Sequence, residues 1–167
     1  MKDQTQAQAI LQQLVNENNL MFVYTRLAMI HLCELLLVEV KSFGDPEAWE
    51  EVKSLIHQFY EKAQDQHSFS MIVEALLLRA KVAVIDGDLR QVLKYYDQAR
   101  LTAEEKNLGL LGQKVDTERK RFEAEFSSWQ KLIQSNVSLQ ERVNHAQMDD
   151  YIKQVQQMLK LDFPQES

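Results

Sequence analysis

The stretch that decides the fold is MIVEALLLRAKVAVIDGDLRQVLKYYDQARLTAEEK, residues 71–106. In residues 71–85 the only charged side chains are Glu74, Arg79 and Lys81. A helix that is apolar around most of its circumference must be covered on several sides. The first half of the stretch therefore predicts an inner helix, and we expect the rest of the chain to pack around it.

The second half of the stretch predicts a tight turn and an antiparallel partner helix. Gly87 can take the left-handed conformation that ends a helix, and Asp88 with Gln91 forms a capping box that starts the next. Apolar residues then recur at three- and four-residue steps, which makes one buried stripe. The stripe consists of Leu89, Val92, Leu93, Tyr96, Ala99 and Ala103.

This hairpin resembles a tetratricopeptide repeat, a helix-turn-helix unit of about 34 residues. The resemblance rests on small residues at the helix crossing, the turn, and an aromatic residue followed by a small one. The positions are Ala80, Ala83, Gly87, Asp88, Tyr96 and Ala99. The sequence departs from the family pattern at Arg79, Val92 and Glu104. An unrelated helical bundle would also need small residues where helices cross, so that alternative stays open.

Another hairpin, which comes first in the chain, is predicted over residues 20–66. Gly44 ends one helix, Asp45 caps the next and Pro46 occupies its first turn, where the missing N–H is no loss. The segment from Phe59 to Ala63 can be aligned with the segment 36 residues later in the hairpin 70–106, which is close to one repeat length.

The remaining chain predicts further helices. Residues 3–17 read as a short amphipathic helix that lies on the array as a lid, ended by the polar run at positions 16–19. Residues 108–134 read as one long helix with a narrow apolar stripe. In residues 138–161 the stripe changes phase near Gln147, which predicts a kink or two short helices. We expect residues 163–167 to be loose.

Composition fits a single all-α domain. The 167 residues suffice for a conventional core, and the formal net charge of -6 argues against nucleic-acid binding. The one cysteine, Cys33, and the absence of a signal-peptide pattern in residues 1–8 favour the cytoplasm. The apolar segment 20–40 is interrupted by charged residues, so we expect no membrane span.

No pattern in the sequence indicates an enzyme, a cofactor or a metal. The four histidines are scattered over different helices, and His31 with Glu34 reads as a structural pair. Cys33 lies in an apolar helix, where desolvation would raise its pKa and make it a poor nucleophile. We therefore expect a non-enzymatic protein.

The tetratricopeptide resemblance implies a right-handed superhelix of hairpins, closed by the long carboxyl-terminal helices, and a protein–protein interaction function. In that family the leading helix of each hairpin lines a groove that binds a peptide or partner helix. Carried over, the groove residues are Ile30, Glu34, Glu74, Leu77, Lys81 and Val84. Equally, the chain's own terminal helices could fill this groove. The alternative function is a sensory or regulatory domain that binds a small ligand or forms a homodimer through helix 108–134.

Overall fold

The computed structural model describes the backbone of residues 2–161 and the side chains of all of these except 2–4, 14–16 and 18–20. Within this part the chain is all-α, as predicted, and contains no strand. The expected loose end at residues 163–167 lies outside the described residues. The helices are α1 (Lys2–Phe43), α2 (Pro46–Asp65), α3 (Phe69–Asp86), α4 (Leu89–Glu105), α5 (Gly109–Gln134), α6 (Leu139–His145) and α7 (Met148–Lys160).

Helices α1 to α5 pack against one another in chain order, and short turns make each antiparallel to the next. Helix α3 is the predicted inner helix: eight consecutive residues, 71–78, are buried, and α2, α4, α5, α6 and α7 all contact it. Helices α6 and α7 then return to pack on α1. The two ends of the array are therefore joined through the carboxyl-terminal helices.

The local turn chemistry follows the prediction. Gly44 and Gly87 have φ of 64° and 83°, in the left-handed region that favours glycine. Asp45 accepts a hydrogen bond from the Glu47 N–H at 2.9 Å, and Asp88 accepts one from the Gln91 N–H at 3.4 Å. Each turn is therefore encoded by residues within a few positions of it.

The two hairpins are also joined by a polar contact at the end of α3. The indole Nε1 of Trp49 donates to one carboxylate oxygen of Asp86 at 2.8 Å. The ammonium of Lys53 lies 3.1 Å from the other oxygen. Because both donors come from α2, this carboxylate fixes α2 against the turn that ends α3.

The predicted break between a helix 3–17 and a helix from residue 20 is wrong. Helix α1 is continuous from Lys2 to Phe43. The polar run at 16–19 contains no glycine or proline, and asparagine costs a helix only about 0.7 kcal/mol relative to alanine. The prediction that residues 3–17 pack on the array as a lid is also wrong, since every side chain described between Thr5 and Glu17 is exposed.

The repeat register differs from the predicted offset of 36 residues. Burial matches an offset of 40, with Val52, Ile56, Phe59 and Ala63 corresponding to Val92, Tyr96, Ala99 and Ala103, all at most 4% exposed. The left-handed residues that follow α2 and α4, His67 and Asn107, are also 40 apart. Offsets of 36 and 40 are about ten and eleven helical turns, so both keep the same face and periodicity alone does not separate them.

The carboxyl-terminal part confirms the predicted change of phase. Gln147 has a φ of 53° and separates α6 from α7. The Ser138 hydroxyl caps α6 by accepting from the Glu141 N–H at 3.2 Å, as its capping box predicts. Helix α5 extends to Gln134 as predicted, and the ring of Trp129 lies against the His145 ring with 4.9 Å between centroids.

Replacement of the fully buried Ala80 by leucine should overpack the core around α3. We expect Ala80→Leu to lower the free energy of unfolding by about 1 to 3 kcal/mol in urea titrations. Ala124→Leu, at an exposed position of α5, is the control and should stay within about 0.5 kcal/mol of the native chain. Equal stability of both variants would show that the helices around Ala80 have room for a larger side chain.

Candidate functional site

The predicted groove residues lie on α1 and α3; α5 packs on α3 and extends the same surface, and the chain's own α6 and α7 cover it. Of the six predicted groove residues, Ile30, Glu74, Leu77 and Val84 are buried, and Glu34 and Lys81 are half-buried. Helix α7 packs on α1 and α3, and it is strongly amphipathic, with its buried side formed by Met148, Tyr151, Ile152, Val155, Gln156 and Leu159. Of the two options that the sequence left open, the filled groove is the one observed.

Tyr151 is the centre of the contact between α7 and α3. Its hydroxyl donates to a carboxylate oxygen of Glu74 at 3.4 Å, and the ammonium groups of Lys81 and Lys114 each lie 5.0 Å from its ring centroid. Burial, reinforced by the Glu74 charge, raises the pKa of Tyr151 well above its usual value. The tyrosine therefore stays neutral and acts as a hydrogen-bond donor.

Glu74 is the most deeply buried carboxylate of the site, with 1% of its surface exposed. The ammonium of Lys114 on α5 donates to both of its oxygens, at 2.9 and 3.0 Å. A buried carboxylate is tolerated only when it is paired and hydrogen-bonded. Lys114 and Tyr151 supply these partners, so Glu74 links three helices: α3, α5 and α7.

A second polar contact joins α7 to α1. The buried Gln156 amide donates to a carboxylate oxygen of Glu34 and lies 3.3 Å from His31 Nδ1. His31 and Glu34 therefore both contact the same side chain of α7. Closer to the start of α7, the Lys41 ammonium lies 2.7 Å from the Asp149 carboxylate. This ion pair fixes the direction of α7 along α1.

Lys81 is half-buried beside α6. Its ammonium donates to the carbonyl of Ala146 at 3.3 Å and lies 3.8 Å from the Glu118 carboxylate. The pKa of Lys81 is lowered, because burial disfavours the charged form by more than the neighbouring carboxylates favour it. Lys81 is thus a groove residue of α3, and its partners belong to α5 and α6.

Three side chains that organise this site were not predicted: Lys114, Tyr151 and Gln156. Lys114 lies on α5, and Tyr151 and Gln156 lie on the buried face of α7. The amphipathic pattern of α7 indicates that it docks somewhere. Its docking surface is a tertiary contact more than 70 residues away in the chain, which no local signal specifies.

No cluster of three or more candidate metal ligands occurs among the described residues. Burial raises the pKa of the Cys33 thiol to about 12, as its apolar helix predicts, so it is not a nucleophile at neutral pH. The cavity beside Lys81, lined by Tyr96, Glu118 and His145, has a volume of about 30 Å³, enough for one water molecule.

One helix in the described part of the chain is long and apolar enough to cross a membrane. It is the segment Met21–Phe43 of α1, with a mean hydropathy of 1.6, of which 33% is buried within the protein. Core helices of soluble proteins and signal sequences share this length and composition. Comparison of the chain with models of protein families, with curated proteins and with solved structures finds no match.

The asymmetric burial of the Glu74–Lys114 pair makes removal of its two members unequal. Lys114→Met leaves the carboxylate buried without its cation, and we expect a loss of about 3 kcal/mol of unfolding free energy. The double variant Glu74→Leu with Lys114→Met removes both charges and should recover most of that loss. Lys131→Met, at an exposed position of α5, is the control. Urea titrations measure the free energy of unfolding of each variant. A double variant no more stable than Lys114→Met would contradict the predicted coupling.

Lys81 should give stability a defined pH dependence. Because folding lowers its pKa below 10.5, the unfolded chain binds this proton more tightly, and the native chain gains stability as pH rises through the folded pKa towards 10.5. Lys81→Met lacks this titration. We expect the variant to be at least as stable as the native chain at pH 7, with the native chain gaining relative to it by pH 10. Melting temperatures of both at the two pH values test this, and an opposite trend would contradict it.

Proposed function

We propose that this protein is a non-enzymatic interaction scaffold that binds an amphipathic partner helix in the groove of α1, α3 and α5, in exchange for its own α7. The observation that carries the proposal is that α7 already occupies the groove as a ligand would. It presents one apolar face and places two polar side chains, Tyr151 and Gln156, on carboxylates of the groove.

The occupied groove defines the chemistry of a competing partner. Such a helix would carry aliphatic side chains in the spacing of Ile152, Val155 and Leu159 on α7. A tyrosine one position before the first of these would reach Glu74 and place its ring close to Lys81 and Lys114. Helix-in-groove recognition of this kind takes its affinity from the apolar face and its specificity from a few placed polar groups.

The tetratricopeptide resemblance forms part of the proposal. Successive antiparallel helices with small, fully buried residues on α3 and α4, Ala80 and Ala99, are compatible with a right-handed superhelix of hairpins. The left-handed residues after α2 and α4 are 40 positions apart, so the units here are longer than the family's 34. We also propose a cytoplasmic location, in line with the single buried thiol of Cys33.

The alternative, a sensory domain or a dimer formed through α5, has less support. The cavity beside Lys81 has room for one water, so a small ligand would have to bind in a more open cleft, such as the one of about 270 Å³ lined by Lys53, Arg79 and Asp86. The apolar stripe of α5 packs inside the chain, with Val115, Phe122 and Trp129 all buried. The groove proposal uses contacts that the chain already makes.

A peptide supplied in trans tests the groove directly. The variant Ile152→Asp with Val155→Asp places two charges on the buried face of α7 and should release it. A fluorescein-labelled peptide of residues 147–161 should then bind this variant at least about tenfold more tightly than the native chain, a difference of about 1.4 kcal/mol. Fluorescence anisotropy measures the binding, and circular dichroism checks that the other helices persist.

The matched control carries the same two charges on the exposed face of α7, as Gln154→Asp with Gln157→Asp. It should bind the peptide as weakly as the native chain does. A peptide that itself contains the two buried-face aspartates should bind none of the proteins. If the released variant stays folded and shows no gain in peptide affinity, the groove is not a helix-binding site.

A further inference from the structure

A second surface of the chain, separate from the groove, consists of the outer side of α1. Large hydrophobic side chains with at least 45% of their surface exposed number eleven among the described residues, and eight of them lie on α1. They are Ile10, Leu11, Met21, Tyr24, Leu32, Leu35, Val38 and Phe43. This concentration on one helix calls for a physical explanation, since exposed apolar residues are normally scattered.

Six of these residues, with Ala28, form a single stripe that we name the outward face: Ile10, Met21, Tyr24, Ala28, Leu32, Leu35 and Phe43. At 100° per residue they fall within about 100° of one another. The buried residues of α1, among them Ile30, Cys33 and Leu37, lie on the opposite side and pack into the core. Helix α1 therefore has two apolar faces, of which the bundle covers one.

We propose that the outward face binds a second copy of this chain, in an antiparallel two-fold helix pair centred between residues 26 and 27. A two-fold interface brings each position opposite its mirror position, so a centre that places apolar residues opposite apolar residues is favoured. Ile10 and Phe43 are equidistant from this centre, and so are Met21 and Leu32. Next to it stand the small exposed residues Thr25 and Ala28, which allow two helices to approach closely.

The amino-terminal part of α1 supplies an independent reason for this arrangement. Every side chain described between Thr5 and Glu17 is exposed. A helix of about 15 residues is marginal in water without packing of its apolar side. In the antiparallel pair, Ile10 of one copy lies beside the exposed Phe43 of the other, about 50 Å along the helix from its own Phe43. Each copy thus covers the end that the other leaves exposed.

Charge favours the antiparallel over the parallel pair. Glu17 and Glu39 are exposed acids on this side of α1. In a parallel pair each of these acids would face the same acid of the other copy. Two chains, each with a net charge of -6, would then place their bundles side by side. In the antiparallel pair Glu39 lies opposite segment 5–16, which has no charged residue, and the bundles stand at opposite ends.

The area is also sufficient for a stable dimer. Each of the six exposed hydrophobic side chains of the outward face presents on the order of 100 Å², so each copy contributes on the order of 600 Å². That is at the lower end of the area each partner buries in a standard specific interface. The outward face needs no additional element to form one.

Sedimentation velocity of the full chain at micromolar concentration tests the proposal, which predicts a mass of twice 19.5 kDa. Met21→Glu with Leu32→Glu places charges on mirror positions and should raise the dissociation constant at least about tenfold. The matched control, Leu101→Glu with Leu110→Glu, changes two exposed leucines outside α1 and should leave the dimer intact. A monomeric native chain, or a dimer unaffected by the α1 variant, would overturn the proposal.

Cysteine cross-linking tests the direction of the pair. A mixture of Ile10→Cys and Phe43→Cys chains should form a disulfide-linked heterodimer on oxidation, whereas Phe43→Cys alone should not link to itself. The native Cys33 is buried and does not interfere. Self-linking of Phe43→Cys would overturn the antiparallel arrangement. A native chain that is monomeric in solution and co-sediments with vesicles of equal parts phosphatidylcholine and phosphatidylglycerol would overturn the dimer in favour of binding to a membrane surface.

Discussion

The structure depends on one constraint, which is that α3 is too apolar to face water on any side. Eight consecutive buried residues, 71–78, cannot be covered by a single neighbour. Helices α2, α4 and α5 cover three sides, and α6 with α7 close the remaining one. The one strongly polar residue of that segment, Glu74, is accommodated because α5 and α7 bring a cation and a hydroxyl to it. The carboxylate thus fixes the relative positions of helices that the hydrophobic effect only brings together.

What could be predicted from the sequence is what the chain encodes locally. The turns at Gly44 and Gly87 and the change of phase at Gln147 were predicted, because conformation at each is decided by residues a few positions away. The break near positions 16–19 was not, since polar residues without glycine or proline lower helix stability by too little to end a helix. The repeat offset failed for a related reason: 36 and 40 residues preserve the same helical face, so burial was needed to separate them.

The candidate site shows the same difference between features that are encoded locally and features that depend on tertiary contacts. The six predicted groove residues lie on helices that line one surface, but which chain segment occupies that surface depends on tertiary contacts. Tyr151 reaches Glu74 across 77 positions, and Gln156 reaches Glu34 across 122. The amphipathic pattern of α7 specified that it must dock and left its destination open. Similarly, the apolar composition of segment 20–40 does not specify which side of α1 is covered within the chain, whereas the structure does.

Helix α6 gives the proposed exchange in the groove a thermodynamic consequence. Its Gln140 donates to the carbonyl of Lys41 at 3.2 Å, and its Arg142 donates to the carbonyl of Ile85. These carbonyls belong to the last turns of α1 and α3, where a helix leaves its acceptors without internal partners. If α7 swings away at Gln147, α6 stays anchored and keeps α7 tethered next to its site. A short tether holds the displaced segment at an effective concentration on the order of millimolar. An external helix must therefore surpass that local competitor, which would make the groove selective for strong ligands and closed to weak ones.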